Sequence, residues 1–154
     1  MQNKKYKLSD KDINITNKKE AKMIKNYFYL IVGILAVLFA VTHTLNGLET
    51  TLPILDNATI EGSTKTIFTY VWHIIGIENL ILGIALIIMA FQKNLEKVKF
   101  TAWVIIVILI LRWIIITFFT VLDDKSDIIN LLPDTLAILT VVVLLLLGIR
   151  VKNK

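Results

Sequence analysis

The chain has 154 residues, of which 56% are hydrophobic, with a formal net charge of +5 and no cysteine. Its mean hydropathy of +0.72 exceeds that of soluble domains. The lack of cysteine excludes disulfides, thiolate nucleophiles and cysteine-ligated metal centres.

Residues 1–25 form a basic segment ahead of the first apolar run. They contain eight lysines and three acidic residues and show little apolar periodicity. We expect a flexible cytoplasmic tail here, a membrane domain over residues 26–150 and a second short tail over residues 151–154. The abundance of lysine, asparagine and isoleucine is typical of an AT-rich, bacterial gene.

Four apolar runs follow, and each contains at most one charged residue. Residues 26–48 contain none, 66–92 contain Glu78, 100–122 contain Arg112 and 128–149 contain Asp134. A helix rises about 1.5 Å per residue, so roughly 20 residues cross a ~30 Å hydrocarbon core. The sequence therefore predicts an all-α fold, a four-transmembrane-helix antiparallel bundle with helices at about 26–48, 66–92, 99–122 and 128–150.

The charges outside these runs predict an orientation. Residues 1–25, the connection 93–99 and the tail are positive, whereas the connections 49–65 and 123–127 each have a net charge of −2. We expect the protein to lie in the cell membrane. The positive-inside rule then places both termini in the cytoplasm. The positive flanks can also contact anionic lipid, so we expect membrane lipids and no nucleic acid as partners.

Small residues recur at helical spacing in the first two helices. The positions are Gly33, Ala36, Ala40, His43 and Gly47 in the first helix, and Trp72, Gly76, Asn79, Gly83, Leu86 and Ala90 in the second. Small side chains let membrane helices approach closely. Both faces are therefore predicted to pack against other helices.

Glu78 and Arg112 are the charges nearest the bilayer centre. An unpaired charge at that depth costs from about 2.5 to over 10 kcal/mol, so we expect a direct or water-bridged ion pair. The pair has three interpretations: a device that fixes how two helices dock, the charged floor of an outward cavity, or a proton-handling carboxylate. Asp134 follows Pro133, which favours a place in the first turn of the last helix, where the helix dipole stabilises an acid.

The two histidines lie in the same half of the membrane as several threonines. Interhelical hydrogen bonding and ligand binding are both open for them, as is a metal site formed with a carboxylate. His73 and Glu78 are five residues apart, about 140° around the helix, which is not the i, i+4 geometry of two ligands on one helix. We assign no metal site and no cofactor, and predict an outward-opening pocket lined by His43, His73, Glu78, Asn79 and Arg112.

The second-helix sequence "HIIGIENLILGIAL", residues 73–86, and the four short helices resemble the DoxX-like family of small bacterial membrane proteins. Members of that family are linked to quinone-coupled redox complexes and to roles in the cell envelope. No catalytic residue is carried over, because the chain has neither a cysteine nor a cofactor-binding motif.

Three functions are compatible with this pattern. We expect an accessory, non-catalytic protein whose pocket binds a small amphipathic molecule, such as a quinone or lipid, or a helix of a membrane-protein partner. One alternative is a membrane-embedded enzyme that uses His43, His73 and Glu78 for acid–base chemistry on a lipid-soluble substrate. Another is a small proton-coupled transporter, which would act as an oligomer because the chain has no visible inverted repeat.

Overall fold

The structure is a computed structural model that describes residues 23–123, 128–129 and 131–152. Most of the predicted basic tail therefore lies outside the described residues, as do positions 124–127 and 153–154 of the other charged segments. The helices are α1 (Tyr27–Asn46), α2 (Leu52–Asn57), α3 (Gly62–Ala90), α4 (Glu96–Asp123) and α5 (Leu132–Arg150). A π-helical segment, Gly47–Thr51, joins α1 to α2 without interruption.

Four helical stretches are long and apolar enough to span a bilayer. They are Tyr27–Asn57, which combines α1, the π-helical segment and α2, together with α3, α4 and α5. The described residues contain no strand, so the predicted all-α four-helix bundle is confirmed. The protein is a multi-pass integral membrane protein.

Several helix boundaries differ from the prediction, most of all in the first connection and at the start of the last helix. The connection expected over residues 49–65 is mostly helical, with α2 ending at Asn57 and α3 beginning at Gly62. Its charged residues indicate exposure to water rather than an end to the helix, and Pro53 is tolerated because it lies in the first turn of α2. The last helix begins at Leu132 rather than 128, with Pro133 and Asp134 in its first turn.

The bundle has two chemically distinct ends. We call basic end the side where α1 and α4 begin and α3 and α5 end, next to Lys93, Lys97 and Arg150. The opposite side, the acidic end, contains Glu49, Asp56, Glu61 and Asp123.

Glycines bring α1 and α3 into backbone contact. A Cβ atom added at Gly33 would lie 2.8 Å from the Gly83 carbonyl oxygen, and one added at Gly83 would lie 2.9 Å from the Gly33 carbonyl oxygen. Nearer the acidic end, Gly47 leaves room for the indole of Trp72, because a Cβ at Gly47 would overlap that ring. The two predicted small-residue faces therefore pack against each other, and this interface is the most extensive in the bundle.

Asn26 joins three helices at the basic end. Its side-chain oxygen accepts hydrogen bonds from the backbone N–H groups of Phe28 and Tyr29, capping α1, while its Nδ2 donates to the Gly148 carbonyl of α5 at 2.8 Å. Its own backbone N–H donates to the Ala90 carbonyl of α3 at 3.1 Å. One residue thus satisfies orphan groups at the ends of α1, α3 and α5.

The packed core fills only the half of the bundle next to the basic end. Its buried residues are Tyr29, Val32, Leu86, Met89, Ala90, Leu95, Val98, Ala102, Ile105, Ile106 and Leu145. Among the described residues, α4 has no buried residue beyond Ile106 and α5 has none before Leu145. Towards the acidic end, the close packing that remains is that between α1 and α3, so the bundle is open on the α3–α4 side.

Candidate functional site

The charged pair at mid-membrane depth is part of a three-residue group. Nη2 of Arg112 on α4 donates to Oε2 of Glu78 on α3, and Nη1 of Arg112 donates to Oδ1 of Asn79 at 3.2 Å. Nδ2 of Asn79 donates to the Ile75 carbonyl at 2.7 Å, within its own helix. Each of the three side chains has a polar partner, which reduces the free-energy cost of holding these groups in a membrane.

This polar group is only partly shielded. The Arg112 side chain is 21% exposed and the Glu78 side chain 41% exposed, whereas Asn79 is buried against α1. Elsewhere α3 and α4 make few contacts. The ion pair therefore connects two helices across the open side of the bundle and remains accessible from it.

An apolar depression adjoins Glu78. We call it the α3 groove; it has a volume of about 270 Å³ and is lined by Ile74, Ile77, Glu78, Ile81 and Leu82, all on α3. The isoleucines at 74, 77 and 81 are exposed on the membrane-facing surface. The groove thus has a wholly apolar wall, to which Glu78 contributes the aliphatic part of its side chain.

His43 has a packing role in the α1–α3 interface. Its imidazole stacks on the Trp72 indole with ring centroids 4.3 Å apart, and the Phe39 ring also stacks on it at 5.7 Å. Nε2 of His43 lies 3.3 Å from the Trp72 carbonyl oxygen, and Nε1 of Trp72 donates to the His43 carbonyl at 3.2 Å. This reciprocal arrangement matches the interhelical interpretation of His43.

His73 lies in a different place, nearer the acidic end. It lines a second depression of about 500 Å³, the acidic-end depression, with Asp56, Lys65, Thr66, Thr69, Tyr70, Ile74 and Ile77. The five residues predicted to share one pocket therefore separate into three places. Glu78, Asn79 and Arg112 lie together, His43 lies between α1 and α3, and His73 lines the acidic-end depression.

The described residues also provide no group of three histidine, aspartate or glutamate side chains close enough to hold a metal ion. The metal site considered for His43 and His73 therefore has no ligand set in this part of the chain. The geometry of α3 explains why His43 and His73 lie apart. Adjacent residues Trp72 and His73 point about 100° apart around the helix, so only one of them can face α1.

One polar contact and two lining residues were not predicted from the sequence. Nε1 of Trp113 on α4 donates to Oγ1 of Thr135 on α5 at 3.0 Å, which joins these helices in the open half of the bundle. Lys65 and Tyr70 line the acidic-end depression; the sequence placed Lys65 in the connection 49–65 and Tyr70 in the second apolar run, without a role in a site. The i, i+4 spacing of Thr66 and Tyr70 was the available signal, because it places them on one helical face.

Comparisons with protein-family models, with curated proteins and with solved structures give no match to this chain.

Proposed function

We propose that this protein is an accessory, non-catalytic membrane protein that binds a lipid-like amphipathic molecule in the α3 groove. The observation that supports this proposal is the placement of Glu78, Asn79 and Arg112 where the packed core ends, next to an apolar depression on the open side. Apolar walls with a few polar groups are typical of small-molecule sites.

The shape of the groove favours an alkyl chain over a partner's helix. A volume of about 270 Å³ is near the lower end of small-molecule pockets, roughly 300–1,000 Å³. A helix with its side chains is about 10–12 Å in diameter and would need a wider surface. The wall of the groove is apolar, so it suits the hydrocarbon part of the bound molecule, while the Glu78–Arg112 pair lies beside it.

The enzyme alternative is less well supported by the same contacts. Acid–base catalysis needs a histidine or carboxylate free to exchange a proton with substrate. His43 stacks on Trp72 and Glu78 accepts a hydrogen bond from Arg112, so both side chains already join helices. His73, the third residue of that alternative, lines a different depression from Glu78, so the three side chains do not form one acid–base site.

The lysine and arginine distribution supports an outward orientation for the open half, with both termini in the cytoplasm. The bound molecule would then enter from the outer leaflet. This direction of entry agrees with the resemblance to DoxX-like envelope proteins, for which a quinone would be one possible occupant of the groove.

Photo-crosslinking tests the proposal. The purified protein would be placed in nanodiscs with a phospholipid that carries a diazirine on its acyl chain, and labelled peptides would be mapped by mass spectrometry. We expect labelling to be concentrated on residues 74–82. Labelling should fall several-fold in Ile81→Trp, because the indole is larger than the isoleucine side chain and fills the groove.

Leu38→Trp on α1 is the matched control. Leu38 and Ile81 are similarly exposed, at 55% and 60%, but Leu38 lies away from the groove. Labelling spread evenly over all lipid-facing residues, or unchanged by Ile81→Trp, would show that the groove is ordinary membrane-facing surface.

A further inference from the structure

The acidic-end depression contains hydrogen-bond donors that have no partner among the described residues. The hydroxyl groups of Thr66 and Thr69 donate to carbonyls of their own helix. Tyr70 and His73, by contrast, have no hydrogen-bond partner among the described residues. Their O–H and ring N–H groups are therefore free to bind a ligand.

Lys65 adds a positive charge to these donors. Its Nζ donates one hydrogen bond to the Asp56 carbonyl oxygen at 2.5 Å, which fixes the ammonium above the depression. An ammonium has three donors, so two remain for an anion. Asp56 also lines the depression, and an acidic residue there suits a headgroup that has a cation beside its anion.

The depth of these residues corresponds to the lipid headgroup region. Counted from Ala90 at the basic end of α3, Tyr70 lies about 30 Å along the helix and Lys65 about 37 Å. The hydrocarbon core is about 30 Å thick and is flanked by polar headgroup layers. Tyr70 thus lies at the membrane–water boundary, where tyrosine is enriched, and Lys65 lies among the headgroups.

The depression is continuous with the α3 groove. Ile74 and Ile77 line both, so a polar end and an apolar channel follow each other along one helix. A molecule with an anionic head and an alkyl chain matches this order, with its head in the acidic-end depression and its chain in the α3 groove.

We propose that the acidic-end depression binds the phosphate of a phospholipid, with Lys65 as the charged donor and Tyr70 and His73 as neutral donors. This inference rests on the proposed function, because the acyl chain of the same lipid lies in the α3 groove. Charge-assisted hydrogen bonds from an ammonium to phosphate are about twice as strong as neutral ones, so Lys65 contributes most.

The test compares two probes with identical diazirine-labelled chains: phosphatidylethanolamine and diacylglycerol, which lacks the phosphate. In the full-length protein we expect phosphatidylethanolamine to label residues 74–82 about tenfold more strongly, the ratio that corresponds to about 1.4 kcal/mol. Lys65→Gln should reduce its labelling to the diacylglycerol level, because glutamine can still donate to the Asp56 carbonyl but has no charge. Tyr70→Phe should reduce it roughly threefold, since one neutral hydrogen bond is lost.

Lys97→Gln is the matched control, because Lys97 is an exposed lysine at the basic end and should have no effect. Equal labelling by both probes, stronger labelling by a long-chain quinone probe, or an unchanged preference in Lys65→Gln would overturn the phosphate site. In each of these cases continued labelling of the groove would leave the proposed function intact. Loss of groove labelling with every probe would contradict both.

Discussion

Glycine 83 shows how much one methyl group changes at the α1–α3 interface. A Cβ atom there would lie 2.9 Å from both the Gly33 carbonyl oxygen and the Val37 backbone nitrogen, and backbone atoms cannot rotate away. Gly83→Ala should therefore destabilise the protein by about 1–3 kcal/mol, even though alanine is the better helix former by about 1 kcal/mol. Thermal unfolding in mild detergent would measure the difference.

Gly62→Ala is the internal control for that experiment. No atom lies within 4 Å of a Cβ at Gly62, so the change should be neutral or slightly stabilising. If the two variants unfold at the same temperature, the helices do not touch at Gly83.

The Arg112 guanidinium supports a second prediction about a single residue. Arg112→Ala should destabilise the protein more than Glu78→Gln, because the alanine variant leaves Glu78 without its partner in the membrane. Glutamine, by contrast, is neutral, and Asn79 still accepts a hydrogen bond from Arg112. A double-mutant cycle should give a coupling free energy between about 0.6 and about 1.7 kcal/mol, the mean and the maximum found for hydrogen bonds between membrane helices.

Arg150→Ala provides a comparison for loss of an arginine that is exposed at the end of α5. Additive effects of Arg112→Ala and Glu78→Gln in the cycle would mean that the ion pair contributes nothing to stability.

The sequence was most informative about residues whose neighbours are limited by the membrane. The contact of Glu78 with Arg112 was predictable because no other charge lies at that depth, and the glycine faces because small residues have few roles within a bilayer. The separation of His43 from His73 was not predictable. It depends on the rotation of α3 about its axis, and the stacking of Trp72 on His43 turns His73 away from α1.

Among the secondary-structure elements, the start of α1 depends on a side chain that also holds another helix. Asn26→Ala removes the cap of α1 and the hydrogen bond to Gly148, and should cost about 2–3 kcal/mol when a cap and a buried hydrogen bond are counted separately. The loss of stability in Asn26→Asp should be smaller than in Asn26→Ala, because a carboxylate can still cap the helix but cannot donate to Gly148.

Asn94→Ala is the matched control for the capping effect alone. Asn94 accepts a hydrogen bond only from the backbone N–H of Glu96 at the start of α4, and it is exposed. Its loss should cost about 0.5–1 kcal/mol. Equal effects of Asn26→Ala and Asn94→Ala on the unfolding temperature would show that the bond to α5 adds no stability.

Helix boundaries illustrate where hydropathy stops being informative. The acidic-end parts of the helices, up to Asn57 and from Gly62, are amphipathic or polar, so a pattern based on apolar residues ends before the helix does. Polar residues are compatible with a helical backbone, and Pro53, which has no N–H to donate, lies in the first turn of α2, where that loss is tolerated.

For the whole molecule, the orientation is testable because the chain contains no cysteine. Single cysteines at Ser63 and Asn94 lie at the acidic and basic ends, and both positions are exposed. A membrane-impermeant maleimide added to intact cells should label Ser63→Cys and should leave Asn94→Cys unlabelled until the membrane is opened. The reverse pattern would invert the orientation and direct the groove towards the inner leaflet.

The hydrogen bond from Asn26 to Gly148 also has a consequence for biosynthesis. Its two residues are 122 positions apart, so the donor is synthesised long before its acceptor. The α1–α3 pair, which has its own glycine interface, can assemble as soon as both helices have left the ribosome. Until α5 has been inserted, the Asn26 amide has no Gly148 acceptor and can be hydrated by water at the membrane surface. Closure of the basic end is therefore a late event, which gives the insertion machinery a period in which α4 and α5 can still be placed.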